Sequence, residues 1–231
     1  MPRCLPAACL VLAGAVYAGA ADDALGKLSE KYESGGRGPG TVSTGKGDPG
    51  GPSFGSYQLS TNSGNADRFV QKYYPDEFKG LKAKSEDDKD RKAFAAKWKE
   101  LAAKDPKALH VNEHAFIKET HYDPQAKKLE KELKLDAAKR SAAFRDVVWS
   151  VAVQHGPNTD VIATAVKPLL KDAKVEDVTD EAIVRAVYAE RGRKDKDGKL
   201  VHFKKVSDDW IPGLTKRFEG ELKDALEMLK K

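Results

Sequence analysis

The feature that most limits how this chain can fold is the run GGRGPGTVSTGKGDPGGPSFG at residues 35–55. Gly, Pro, Ser and Thr dominate it, and such a stretch cannot form a helix but suits tight turns or a small hairpin. Thr41-Val42 and the YQL run at 57–59 set β-forming residues around the glycines, which a plain linker would not need. On either side the apolar residues return with the helical period. Leu25, Leu28 and Tyr32 share one face of a short helix expected from about Asp22 to Tyr32 and ended by Gly35-Gly36.

From Ala66 onward the pattern is helical almost without interruption. Phe69, Val70, Tyr73 and Tyr74 fit one apolar face, and Phe94, Trp98 and Leu101 fit another. The charged run KSEDDKDRK between them reads as a solvated face or a helix start. Phe144, Val147, Val148, Val151 and Ala152 follow the spacing of a buried helix that Gly156-Pro157 stops, which makes this segment the candidate central helix. Further helices are expected at about 158–172, 179–191 and 215–230. A short hairpin is expected within 193–203, where Asp197-Gly198 is a turn signal. The sum is a mainly α (α+β) domain with one small Gly-rich β element near its N-terminus.

The first twenty residues, MPRCLPAACLVLAGAVYAGA, carry a basic residue, an apolar stretch and the small residues Ala18-Gly19-Ala20, the pattern of a secretory signal peptide. A membrane anchor is the alternative, but the apolar stretch is broken by Pro6 and is shorter than the roughly 20 residues a spanning helix needs. Export to the periplasm or the medium is therefore expected, with a mature chain starting near Ala21 and no stable membrane insertion afterwards. Cys4 and Cys9 both lie in that leader, so the mature chain is expected to have no disulfide, cysteine nucleophile or cysteine metal site. The remainder, 21–231, suits one domain, expected to act as a monomer. The net charge of +5, of which Arg3 supplies one, gives a mild positive potential suited to an anionic polymer. No basic stripe is interleaved with aromatics, so nucleic acid is not an expected partner.

Two acidic residues bracket part of the glycine run. Cleavage of a glycosidic bond needs one protonated carboxyl to deliver a proton to the leaving oxygen and a second carboxylate to position water or stabilise the oxocarbenium ion. Glu33 closes an apolar-faced helix, where partial burial would favour the protonated form. Asp48 sits in a wetter Gly-rich loop, where it would stay ionised. The glycines between them allow close approach of a sugar. A chain with 36 acidic residues contains many such pairs, however, and a Glu at a helix end also suits a solvated surface. The residues alone leave both readings open.

The run KYESGGRGPGTVSTGKGDPGGPSFGSYQLS, residues 31–60, resembles the opening of the peptidoglycan-degrading C-terminal domain of evolved type VI secretion spike proteins. Glu33-Ser34 and Gly55-Ser56-Tyr57-Gln58-Leu59 are also similar to the Glu-Ser pair and the Gly-x-x-Gln-hydrophobic segment of soluble lytic transglycosylases, within the wider lysozyme-like superfamily. SVAVQHGPN at 150–158 stands where that superfamily carries a helix ending in a Gly-containing turn, with His-Gly-Pro in place of the common Asn-Ala-Gly. Tyr188, Arg191 and GLTKRFEGE at 213–221 are similar to the closing helices of phage-type lysozymes.

The resemblance implies a lysozyme-like fold and a muramidase acting on peptidoglycan glycan strands, with Glu33 as general acid, Asp48 as second carboxylate, and neither cofactor nor metal. Transglycosylases lack a second catalytic carboxylate, so Asp48 favours hydrolysis. The length of the Gly-rich excursion favours inversion, with the two carboxyls about 6.5–9.5 Å apart rather than about 5–5.5 Å. Chitosanases share the superfamily, so deacetylated glycan is an alternative substrate. Substrate contacts are expected from Ser34, Tyr57, Gln58, His155 and Asn158, and Thr61 is expected to orient water. Tyr57 and Gln58 equally suit a strand packed on the central helix, and a cap or turn suits His155 and Asn158 better than a substrate contact. Trp98, Trp149 and Trp210 can stack on sugars, but their helical spacing points to the core.

One constellation competes. His110-Val-Asn-Glu113-His114 reads H-x-x-E-H, the inverted zinc-peptidase signature, which would need a third ligand such as Glu190. In a chain with five histidines a polar turn of a surface helix accounts for it better. A non-catalytic wall-binding protein on the same fold is the third possibility.

Overall fold

The computed structural model describes residues 25–45, 50–204 and 206–231. The expected leader at 1–20, the mature start near Ala21, both cysteines and Asp48 lie outside the described residues.

Helix α1 (Lys27–Glu33) begins at Gly26, whose φ of +85° is left-handed and which offers no side-chain cap. A Cβ there would lie 2.9 Å from the Tyr57 hydroxyl and 3.1 Å from the Trp149 ring, so glycine is required by both backbone and space. The orphan N–H groups of the first turn are taken from outside. Lys27 N and Leu28 N donate to the Asp146 carboxylate at 3.2 and 3.3 Å.

The Gly-rich excursion folds into a minimal antiparallel sheet, β1 (Ser53–Phe54) and β2 (Leu59–Ser60), in the register Ser53↔Ser60 and Phe54↔Leu59. Val42 adds an isolated bridge to Phe54. Of the YQL run only Leu59 is in a strand. Tyr57 and Gln58 make the connecting turn, with Gln58 at a left-handed φ of +49°.

Helix α2 (Asn65–Tyr73) buries Phe69 and Val70. The charged run after it starts α3 (Asp88–Lys104), where the Asp87 side chain caps Lys89 N at 2.8 Å and Phe94 and Trp98 enter the core. Asp105 caps α4 (Pro106–Ile117), with Pro106 in the first turn. The chain then runs through a π turn, Lys118–Tyr122, into α5 (Asp123–Leu133). Pro124 explains the turn: it has no N–H for the Thr120 carbonyl and its ring crowds that carbonyl. The ladder widens accordingly, and Asp123 N bonds to Lys118 O five residues back.

Helix α6 (Ala142–His155), capped by Ser141, is buried on nearly every side from Ala143 to Ala152, as a central helix must be. It packs against α1 and α9. Helix α7 (Val161–Val166) gives way to a 3-10 turn, Lys167–Leu170, at Pro168, so the helix expected over 158–172 is shorter. Helices α8 (Asp180–Arg191) and α9 (Ile211–Met228) follow, α9 starting earlier than expected. The hairpin expected at 193–203 reduces to one bridge, Lys194↔Leu200. Trp98 and Trp149 are core residues, but Trp210, in a 3-10 turn before α9, is 53% exposed. Among the described residues no helix is long and apolar enough to cross a membrane.

Because Asp146 is fully buried and serves two N–H groups that have no other cap, Asp146→Ala should destabilise the fold by about 2 kcal/mol. Urea unfolding of the two proteins measures this; equal midpoints would show that α1 does not depend on the cap.

Candidate active site

The end of α1, the β1–β2 hairpin, the start of α2, the π turn and the end of α6 surround one cleft of about 580 Å3. Glu33, Tyr57, Gln58, Arg68, His121 and Gln154 line it, with Ser43 and Gly50 from either side of residues 46–49. A second hollow of about 550 Å3, lined by Lys118, Lys127, Lys131, Lys134 and Arg145 among others, carries none of the catalytic or substrate-contact residues expected from the sequence.

Glu33 is half-buried in the cleft wall. Arg217 on α9 donates from Nη2 to its Oε1 at 2.6 Å. The other oxygen, Oε2, has no hydrogen bond to a described residue. Arg217 also donates from Nε to Glu221 Oε1 at 2.6 Å. Glu221 is fully buried, and its Oε2 receives Ser150 Oγ at 2.8 Å, Arg191 Nη1 at 2.6 Å and Tyr188 OH at 3.1 Å. Burial penalises its charge, but Arg191 and Arg217 outweigh that and hold the carboxyl down to about 2. Arg191 continues to Gln154 Oε1, back in the cleft wall. One buried ionic chain, Glu33–Arg217–Glu221–Arg191–Gln154, thus has both ends in the cleft. Tyr32 OH and Lys31 Nζ, bonded to Asp224 at 2.9 and 2.6 Å, tie the same end of α1 to α9.

The remaining sequence-derived candidates fall in different places. Gln58 lines the cleft, its Nε2 bonded to Gly55 O at 2.9 Å. Tyr57 presents ring surface only, because its hydroxyl donates inward to Glu30 Oε1 at 2.8 Å. Ser34 is buried with Oγ on Glu30 O, and Thr61 is buried with Oγ1 on Pro52 O at 2.6 Å. His155 packs on Phe203 (4.9 Å between centroids), and burial pushes its pKa down to about 3. Asn158 is exposed, its carbonyl receiving Lys128 Nζ at 2.7 Å. Ser34, Thr61, His155 and Asn158 are therefore not brought to the cleft surface. Their neighbours Glu33, Ser60, Gln154 and Gly156 are.

The H-x-x-E-H residues lie on α4, with its two imidazoles turned toward α1. His110 Nε2 meets Glu30 Oε1 at 3.0 Å and His114 Nε2 meets Leu25 O at 3.2 Å. Glu190 lies elsewhere, paired with Arg193 and His202. Glu113, fully buried, accepts Ser56 N on Oε2 at 3.0 Å. Burial pushes its pKa up to about 8 against two hydrogen bonds from Ser56. Among the described residues no three such groups are grouped to hold a metal ion.

Two residues to which the sequence reading gave no site role left a trace in it. Arg191 and Glu221 interrupt apolar helical stripes, Val184–Val187–Tyr188 and Phe218–Ala225, and a charge inside such a stripe signals a buried pair. Arg217 sits one turn before Glu221 on α9. Arg68 and His121 left no such signal.

Residues 25–222 match the family described as type VI secretion system spike protein VgrG3-like, C-terminal, and the chain belongs to that family. It is 38% identical over 208 residues to the type VI secretion system spike protein VgrG3 of Vibrio cholerae serotype O1, covering 88% of this chain and 19% of that protein. The chain therefore spans about a fifth of that relative's length. Among solved structures, native chitosanase from Bacillus subtilis MY002 superposes with a TM-score of 0.62 at 15% identity, covering 91% of this chain and 89% of the other. A mutant of that chitosanase complexed with 6 GlcN gives 0.61 over the same shares. The fold is lysozyme-like and mainly α.

Two predictions follow from the buried carboxyls. Glu221→Ala leaves two arginines without their shared partner and should cost about 3–5 kcal/mol, read as a lower urea midpoint. Glu113, with a folded pKa near 8 against an ordinary 4.5, binds more protons folded than unfolded between those values, so stability falls as pH rises through that window. Asp146, raised to about 7 by burial, acts in the same direction. The melting temperature should fall from pH 5 to pH 8, and Glu113→Gln should flatten that fall; an unchanged slope would remove Glu113 as its source.

Proposed function

We propose that this protein is a peptidoglycan hydrolase, a muramidase that cuts the β-1,4 glycan backbone, with Glu33 as general acid and Asp48 as second carboxylate. The observation that carries the reading is the position of Glu33 in the cleft wall of a VgrG3-like domain: Arg217 holds Oε1, and Oε2, with no hydrogen bond to a described residue, remains to meet a leaving glycosidic oxygen. A carboxyl fixed on one oxygen and free on the other is oriented for in-plane proton delivery to a leaving glycosidic oxygen. Asp48 is supported by its flanks, since Ser43 and Gly50 both line the cleft. Gln58 from the hairpin turn and Gln154 from α6 supply amides in the cleft for sugar hydroxyls or acetamido groups.

A single domain at 21–231, led out of the cytoplasm by residues 1–20 and acting as a monomer on wall glycan, completes the proposal. The chitosanase likeness leaves chitosan as the competing substrate.

Mass spectrometry of the products released from purified peptidoglycan separates these readings. Reducing muramic ends are expected from the wild-type protein, and Glu33→Gln should lower turnover by roughly 10²–10⁴-fold while retaining wall binding. Chelator should leave turnover unchanged. Anhydro ends would make the protein a transglycosylase. Cleaved stem peptides, or a fully active Glu33→Gln variant, would overturn the assignment.

A further inference from the structure

Two cleft residues take no part in the proton transfer proposed above: Arg68 on α2 and His121 in the π turn. Thr120 fixes the state of His121. Its Oγ1 donates its one hydrogen to Phe116 O at 2.6 Å, so toward His121 Nδ1, 2.8 Å away, it can only accept. The imidazole therefore carries its proton on Nδ1 and presents Nε2 as a bare acceptor, with no hydrogen bond to a described residue. Burial, with the Arg68 charge adding to it, pushes the His121 pKa down to about 4, so the ring is neutral at ordinary pH. Arg68 is exposed, bonds to Asn65 Oδ1, and has no ion pair with a described carboxylate, which leaves N–H donors of its fork for a ligand.

A neutral acceptor near a cationic donor fork matches an amide, whose N–H can go to the imidazole and whose C=O to the guanidinium. The sugar substituent with that pattern is the acetamido group. A protonated amine at the same carbon has no acceptor for the guanidinium and adds a like charge to Arg68. The one carboxylate among the described cleft residues, Glu33, is already paired with Arg217 and offers such an amine little compensation.

We propose that Arg68 and His121 form a subsite that recognises an acetamido group and makes the cleft select N-acetylated glycan over glucosamine polymer, with Thr120 as the positioning residue that holds the His121 tautomer. This rests on the glycosidase reading of the same cleft.

The test compares kcat/KM on purified peptidoglycan with kcat/KM on the same material after N-deacetylation, for the wild-type protein, Arg68→Gln, His121→Phe and Thr120→Val. The wild-type protein should prefer the acetylated polymer by at least about tenfold, and each variant should lower that preference several-fold, because a site built to pair a polar group discriminates through the groups left unpaired. Arg68→Gln alters an exposed side chain and keeps the test decisive if the two π-turn variants fold poorly. A purely structural role would lower both rates together and leave the ratio unchanged, which would overturn the proposal. Equal wild-type rates on the two polymers would sink the subsite and leave the glycosidase standing. No glycan cleavage by the wild-type protein would remove both.

Discussion

Glu221 is the group on which the rest of the site depends. It is a fully buried carboxylate reached by Ser150 from the central helix, Tyr188 and Arg191 from α8, and Arg217 from its own helix. Taken as stability, such a cluster gives little over an apolar packing of equal volume, since desolvating the ions offsets most of their attraction. Its contribution is position. Each of the two arginines has a second donor group pointing outward, one to Glu33 and one to Gln154, so residues on two different helices are set in one cleft by a single buried charge. Asp146 does the complementary work at the other end of α1, holding the first-turn N–H groups from the central helix. The seven-residue helix is too short to persist alone. Tied at both ends to α6 and α9, it becomes a rigid mount for Glu33.

The part of the cleft lined by the π turn is mounted in a different way. Pro124 forces the α4–α5 helix to admit one wide turn, and that turn brings Thr120 and His121 to the cleft rather than leaving them on the helix cylinder. Thr120 then bonds back to Phe116 O, a carbonyl of the preceding turn, and its remaining lone pairs fix the imidazole. A local break in helix geometry thus becomes a defined hydrogen-bond acceptor.

Which parts were legible in the sequence follows from which forces are local. The central helix could be read because burial on all sides requires an apolar run, and Gly156-Pro157 can do nothing but stop it. The β element could be placed by its glycines, but its register could not: two-residue strands carry no alternation to read, and Gln58 adopts a left-handed turn that its side chain does not advertise. Glu33 was reached by resemblance at one end of a short helix. Arg217, which orients it, is 184 residues away, and no spacing rule spans that distance. Of the ionic chain only the charges breaking apolar stripes were visible. That Ser34 and Thr61 are buried while Glu33 and Ser60 line the cleft has one cause, since near a helix end or in a strand of two residues a single step turns a side chain from cleft to core.

The segment Gly55-Ser56-Tyr57-Gln58-Leu59 shows why a motif can mark a site without touching its ligand. A Cβ on Gly55 would fall 2.1 Å from Glu113 Oε1, so glycine lets the buried carboxyl reach Ser56 N. Ser56 Oγ meets His110 Nδ1 at 3.2 Å, and His110 in turn meets Glu30, which also receives Tyr57. Hydrogen bonds from His110 and Tyr57 outweigh the burial of Glu30 and keep its carboxyl below the ordinary range, while Glu30 holds His110 above its own. Two residues of the H-x-x-E-H signature, His110 and Glu113, are thereby engaged in anchoring the hairpin to α4 and α1. In this arrangement Gly55, Ser56 and the Tyr57 hydroxyl serve the scaffold, and Gln58 is the residue that the scaffold delivers to the cleft. A pattern of five residues that looks like a binding motif is then mostly the record of a tight turn closed against a buried acid, with the Gln58 amide as the one polar side chain of the five that lines the cleft beside the Tyr57 ring and Leu59.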